Sequence, residues 1–208
     1  MTILLSDPRV HAVPVRDTGE PLIQLPEAMA PTGVVVRRSL ATRLIKAHAH
    51  LPAGLGLLVV EGHRSPADQQ RILDTYERQV RAAHPDADEA EVARLTSRFV
   101  SPMAVAPHVA GAAVDVTLVD VFGDQLDLGT HIDATPEQSD GKCWFAAAGI
   151  GADARAHRQL LAKVLTNQGL VNYPTEWWHW SFGDRYSALA TGAQHALYGP
   201  VDRQARAA

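Results

Sequence analysis

Between Arg38 and His50 the chain is rich in helix formers and sets Leu40, Leu44 and Ile45 on one side, which predicts an amphipathic helix. The run from Gly54 to Val60 is almost wholly apolar and ends at Glu61, the signature of a buried strand. A helix is predicted from Ser65 to about Ala83, stopped by Pro85, and another within Asp86 to Phe99. An irregular stretch leads on to Pro107. Between Gly111 and Val119 the pattern alternates: Ala112, Val114, Val116 and Leu118 form an aliphatic row, while Ala113, Asp115 and Thr117 face the other way. Phe122 to Gly141 is polar and punctuated by Gly123, Gly129, Pro136 and Gly141, so it reads as a hairpin or long loop. Ala154 to Gln168 forms a further predicted helix with Gly169 as its stop, and Trp177 to Phe182 a strand. From Tyr186 no strong pattern remains, and Val201 to Ala208 is expected to fray. This order predicts an α+β fold, a single domain over 1–208 with its core at about 22–190.

Composition narrows the class. A chain of 208 residues can bury one substantial core, and 46% hydrophobic with 20% charged residues is ordinary for one globular domain. A net charge of -4 provides no basic stripe, so neither nucleic acid nor an anionic membrane is an expected partner, and a small solute is. No apolar run approaches the about 18 residues of a membrane span. The start, Met-Thr-Ile-Leu-Leu-Ser, has no basic segment and is cut short by Asp7 and Pro8, so no secretory leader is expected. The single cysteine, Cys143, precludes an internal disulfide and suits a cytoplasmic location. No base neighbours it in the sequence, and a structural role is expected for it. Gly54-Leu-Gly56 lacks a third glycine and precedes a strand, so it is not a nucleotide loop.

The chemistry concentrates in two segments, Pro-His108-Val-Ala-Gly-Ala-Ala-Val-Asp115 and Thr-Glu176-Trp-Trp-His179-Trp. Asp115 is the odd residue in an apolar strand, and a metal is the simplest compensation for a buried charge there. Gly111 lets the chain turn before that strand, so that His108 can fold back toward the carboxylate. Residues three apart face opposite sides of a strand, so Glu176 must sit at the entry, just after the bend at Pro174, with His179 in the strand proper. Two imidazoles and one carboxylate hold a tetrahedral zinc with one position open to water, whereas a closed structural site needs thiolates that one cysteine cannot supply. Glu176 is then the spare carboxylate that takes the proton of the water. Singly, each of these residues has an ordinary reading: a hydrogen-bonded core histidine, a buried aspartate, a solvated turn glutamate. Trp177, Trp178 and Trp180 read as core and pocket wall.

The blocks Glu-Gly-His-Arg64-Ser-Pro, Pro-His108-x-x-Gly111-x-Ala113-x-Asp115-x-Thr-Leu, Leu-Gly-Thr-x-x-Asp133 and Glu176-Trp-Trp-His179 together resemble those of the VanX-type D-alanyl-D-alanine dipeptidases, in order and in separation, from about Leu22 to about Phe182. The resemblance implies the hedgehog/D,D-peptidase fold, with a small, mostly antiparallel sheet carrying one zinc ion, and hydrolysis of the free D-alanyl-D-alanine dipeptide. It makes His108, Asp115 and His179 the zinc ligands and Glu176 the general base and acid. Arg64 then stabilises the oxyanion and Asp133 receives the dipeptide's amino terminus. Taken alone, Arg64 has a second, lesser reading as a helix-start salt bridge ahead of the Ser65-Pro66 cap. Two positions depart from the family pattern. Ala106 stands where a serine is usual, which removes a substrate hydroxyl contact, and His63 stands where many members have tyrosine, which alters the polarity of the pocket wall. The alternatives are a D,D-carboxypeptidase or L,D-endopeptidase on muropeptides, which a carboxylate at Asp133 opposes, and a non-catalytic zinc-bearing binding module, which has no need of Glu176 and Arg64.

Overall fold

The computed structural model describes residues 2–202. In chain order it comprises α1 (Pro8–Ala12), β1 (Leu22–Gln24), β2 (Val35–Arg37), α2 (Arg38–Ala49), β3 (Gly56–Glu61), α3 (Pro66–Ala83), α4 (Glu89–Thr96), β4 (Ala113–Val119), α5 (Ala152–Thr166), β5 (Val171–Asn172), β6 (His179–Ser181) and α6 (Arg185–Thr191), with a 3₁₀ turn at Met103–Val105. The mixed α+β class predicted from the sequence is what forms. A four-stranded antiparallel sheet has the order β3-β4-β6-β5, and β1 pairs with β2 in a separate ribbon.

β4 is the central strand. Its aliphatic row Ala112, Val114, Val116 and Leu118 is fully buried, and so is the opposite row, since Ala113, Asp115 and Thr117 are also inaccessible. On the aliphatic side α2 and α5 cover the sheet and place Leu40, Leu44, Leu161 and Leu165 against Val59, Val116, Trp178 and Trp180. The predicted strand through His179 is shorter than expected: Trp177 and Trp178 belong to a turn whose amide at Trp177 donates to the Cys143 carbonyl (2.9 Å). α3 begins as its sequence dictates, with Pro66 in the first turn and the Ser65 hydroxyl accepting from the Asp68 amide (3.1 Å).

Two helices lie where no regular pattern was expected. α1 is capped by Asp7, with Pro8 in its first turn, and packs with Leu5 against Tyr173 and Tyr186. α6 occupies the stretch read as unpatterned, capped by Asp184 and ended by Gly192 at φ 71°. Both signals were present in the sequence, but each helix is too short for periodicity to reveal. Val201, expected to fray, is buried and donates to the Val109 carbonyl (2.9 Å), while the rest of that expectation, at 203–208, lies outside the described residues. Buried positions therefore extend from Leu5 to Val201, beyond the expected core at 22–190.

Candidate active site

Cross-strand register assembles one face of the site. Asp115 of β4 pairs with His179 of β6 on one side and with Glu61 of β3 on the other, so three polar side chains line up across three strands. His108 arrives from the segment before β4. Gly111 turns that segment at φ 65°, in the left-handed region that a side chain disfavours, and its amide donates to the His108 carbonyl (2.9 Å). The fully buried Arg37 braces the turn: its amide donates to the Gly111 carbonyl (2.8 Å) and its Nε to the Ala110 carbonyl (2.9 Å).

The result is a compact set of donors. His108 Nε2 lies 3.1 Å from His179 Nδ1 and 3.4 Å from Asp115 Oδ1, and His179 Nδ1 lies 3.2 Å from the same oxygen. His108 Nδ1 sits 2.7 Å from the Gly62 carbonyl, which can only accept, so that nitrogen carries the proton and Nε2 turns a lone pair to the centre. Atoms held this closely either share a proton, as an Nδ1–H of His179 directed at Asp115 would, or take a cation among them. A tetrahedron with metal–ligand bonds of about 2.0 Å has edges of about 3.3 Å, so the separations fit a zinc-sized ion. Charge agrees with geometry. Burial alone pushes the Asp115 carboxyl up, but the His108 and His179 imidazoles outweigh it and hold the group well below the usual carboxylate range. The same Asp115 charge raises His108 against the effect of its burial, while for His179 burial wins and the imidazole is pushed down.

Glu176 stands beside this set, at the sheet entry as its sequence context predicts. It is 6% exposed, its Oε2 is 3.8 Å from His179 Nδ1, and its carboxylate makes no hydrogen bond among the described residues. Burial, then repulsion from Asp115 and Asp133, raises its pKa well above the ordinary value, so it holds a proton readily. Trp178 and Tyr173 wall the cavity around it, and Cys143 lies outside the cavity lining.

Arg64 and Asp133 face the same cavity, of about 570 Å³, together with the three donors and Glu176. Arg64, just ahead of α3, is held on two flanks: its Nε donates to Glu61 Oε1 (2.7 Å), its Nη2 to Glu61 Oε2, and its Nη1 to Gln69 Oε1 (2.8 Å). Asp133 has φ 65° and its carboxylate makes no hydrogen bond among the described residues. By surface area it is exposed within the open cavity, yet crowding by the cavity walls, then the charges of Asp115 and Glu61, raises its pKa to about 6. A carboxylate so placed is short of a cation. The loop that bears it is anchored by the buried Arg158, whose guanidinium donates to the carbonyls of Leu128 (2.7 Å), Lys142 (2.8 Å) and Trp144 (2.6 Å).

Neither of the two departures from the family pattern is among the residues that line this cavity. Ala106 is buried and lines a separate small pocket with Tyr198 and Asp184. His63 Nε2 lies 2.8 Å from the Val201 carbonyl. Ser101, which the sequence did not single out, lines the cavity. Glu61 and Gln69 were missed as well. Glu61 had a signal, a charge ending an apolar strand three residues before Arg64; Gln69 had none.

A family profile described as D-ala-D-ala dipeptidase matches residues 28–196. The chain belongs to that family. Another member, the D-alanyl-D-alanine dipeptidase of Synechocystis sp. (strain PCC 6803), is 26% identical over 237 aligned residues that cover 92% of this chain and 96% of its own. The D-alanyl-D-alanine dipeptidase of Escherichia coli (strain K12) is 31% identical over 98 residues, 42% of this chain and 49% of its own. Among solved structures, the fold is shared with a variant of the vancomycin-resistance D,D-pentapeptidase VanY from the VanB-type cassette in complex with Zn(II), at TM-score 0.52 and 16% identity over 92% of this chain and 96% of that one. It is shared equally with VanYB in complex with D-alanine-D-alanine, at TM-score 0.52 and 17% identity over 89% and 94%. At these identities the likeness is one of fold.

Proposed function

We propose that this dipeptidase-family chain is a zinc metallopeptidase that hydrolyses free D-alanyl-D-alanine to two D-alanines, with zinc held by His108, Asp115 and His179. The observation that carries the reading is the convergence of three buried donor atoms at 3.1–3.4 Å beside an unbonded, buried carboxylate. Bound there, zinc supplies a Lewis acid for water and for the scissile carbonyl.

The chain's own residues do the rest. Glu176 takes a proton from water as its oxygen adds to the carbonyl carbon. The same carboxyl delivers that proton to the amine nitrogen as the C–N bond breaks. Its high proton affinity suits the second half of that cycle, in which it holds the proton before the amine takes it. Arg64 retains two N–H groups beyond its three bonds to Glu61 and Gln69, and these stabilise the developing oxyanion. Both oxygens of Glu61 are occupied by Arg64, which makes Asp133 the carboxylate available to the substrate ammonium. An acyl group on that nitrogen removes the positive charge and leaves Asp133 unpaired, so free dipeptide is preferred. Among the described residues no helix is long and apolar enough to cross a membrane. The buried Cys143 suits a cytoplasmic location, where the partner is free dipeptide rather than nucleic acid or bilayer.

A second reading, cleavage of acylated D-Ala-D-Ala ends, is favoured by the cavity volume, which exceeds what a dipeptide fills. Substrate comparison separates the two. The residue roles are tested by Glu176→Ala, expected to keep zinc at full stoichiometry while turnover falls about 10²–10⁴-fold, and by His179→Ala, expected to lose zinc. Near-normal turnover in the first, or full zinc in the second, overturns the assignment.

A further inference from the structure

The third strand carries an irregularity that the proposed chemistry leaves unexplained. Val59 pairs with Val116, yet the next pair joins Glu61 to Asp115, so one residue, Val60, is skipped in a β-bulge. In a regular ladder Val60 would oppose Asp115, and Glu61 would turn to the core face beside Val59 and Val114. The bulge instead leaves Val60 41% exposed and brings Glu61 onto the face of the site.

Glu61 is then used completely. Its two oxygens grip Arg64 side-on through Nε and Nη2. On the other flank, Gln69 Oε1 accepts from Nη1 at 2.8 Å, while Gln69 Nε2 donates to the Ser101 carbonyl at 2.9 Å. Because a carbonyl only accepts, that second bond fixes which end of the amide meets the guanidinium. Gln69 is 1% exposed, so neither bond exchanges freely with water. A bidentate partner on one edge and an anchored acceptor on another leave a planar cation with five N–H groups one orientation and two N–H groups to offer.

We propose that Glu61 and Gln69 are positioning residues, which hold the Arg64 guanidinium preorganised for the oxyanion so that its reorientation is not part of the barrier. The proposal rests on the reading of Arg64 as oxyanion donor. Loss of either clamp leaves substrate affinity in place and weakens an interaction that matters at the transition state.

The test is a double-mutant cycle in zinc-loaded protein, with kcat and KM for D-alanyl-D-alanine, zinc stoichiometry, thermal midpoint and affinity for a phosphinate analogue of the dipeptide. Arg64→Ala is expected to lower kcat about 10²–10³-fold. Glu61→Gln and Gln69→Leu are each expected to lower kcat about 10-fold or more with KM within about 3-fold, and to weaken the phosphinate in parallel, with zinc retained. In the Arg64→Ala background the same substitutions should cost no further kcat, because they act through the arginine. Equal losses in both backgrounds, or normal kcat in both single variants while Arg64→Ala is impaired, overturn the proposal and leave the reading of Arg64 standing. Normal kcat in Arg64→Ala overturns that reading and the proposal with it. Should Gln69→Leu fail to fold, Gln69→Glu, which keeps the acceptor and loses the bond to Ser101, takes its place in the cycle with the same expectations.

Discussion

Gly111→Ala tests whether the turn before β4 delivers His108 to the metal donors. At φ 65° a non-glycine residue costs about 1–2 kcal/mol. An added Cβ would also lie 2.4 Å from Leu22 Cδ2, while its next contacts, with Arg37, are at an ordinary 3.6 Å. Leu22 Cδ2 is the far end of a flexible chain, so relief means a shifted rotamer, worth about 0.5–1.5 kcal/mol. Together these predict a loss of about 1.5–3.5 kcal/mol. Gly123→Ala is the control, because Gly123 has φ 86° with open space around it and should show the backbone cost alone. The assay is urea unfolding of metal-free protein, so that zinc does not mask the change, paired with zinc affinity by chelator competition. Gly111→Ala should exceed the control and should weaken zinc, which Gly123→Ala should not; Leu22→Ala in the Gly111→Ala background should recover the steric part. A loss under about 0.5 kcal/mol with zinc affinity intact would refute this account of the turn.

Other consequences follow from the charges. Asp133 is neutral below about 6 and ionised above it, and zinc nearby lowers that value, so kcat/KM for free dipeptide should fall as pH drops through 6 or somewhat below. Asp133→Asn should abolish that acidic limb and shift preference toward N-acetylated substrate; an unchanged limb would remove Asp133 from amine recognition. Zinc requires His108 and His179 unprotonated, and Asp115 raises the proton affinity of His108, so zinc affinity should be full at the upper end of about pH 5 to 8 and fall as pH decreases through it; chelator competition that is flat across the range would contradict the ligand set. Arg158→Met strips the Leu128, Lys142 and Trp144 carbonyls of their buried donor, and should cost about 2–4 kcal/mol in urea unfolding, with no loss taken as evidence that the loop holds itself.

The long elements were legible because their signals are local. The Ser65-Pro66 cap, the alternation through β4 and the glycine after α5 each act over a few residues, and each element formed close to its predicted bounds. Asp115 stood out because a lone charge in an apolar strand requires a partner, and His108 and His179 meet it. What escaped depends on pairing. The β1–β2 ribbon has three residues per strand, too few for a period. The bulge at Val60 exists only as a mismatch between two strands, so the charge that ends β3 marks Glu61 in the sequence but not its place on the face of the site or its grip on Arg64. Gln69 reads as one polar residue among several in α3 until its burial and its two partners are known. Ala106 and His63 each differ from the family pattern in sequence, and neither is among the residues that line the cavity.

The most direct measurement is D-alanine release by zinc-loaded protein from D-alanyl-D-alanine, beside N-acetyl-D-alanyl-D-alanine and L-alanyl-L-alanine. Zinc at the three donors with Glu176 and Asp133 in place predicts cleavage of the free D,D-dipeptide and little of the acetylated form. Preference for the acetylated form would contradict the dipeptidase assignment and the role of Asp133, and no cleavage of any of the three with zinc bound would contradict the reaction itself.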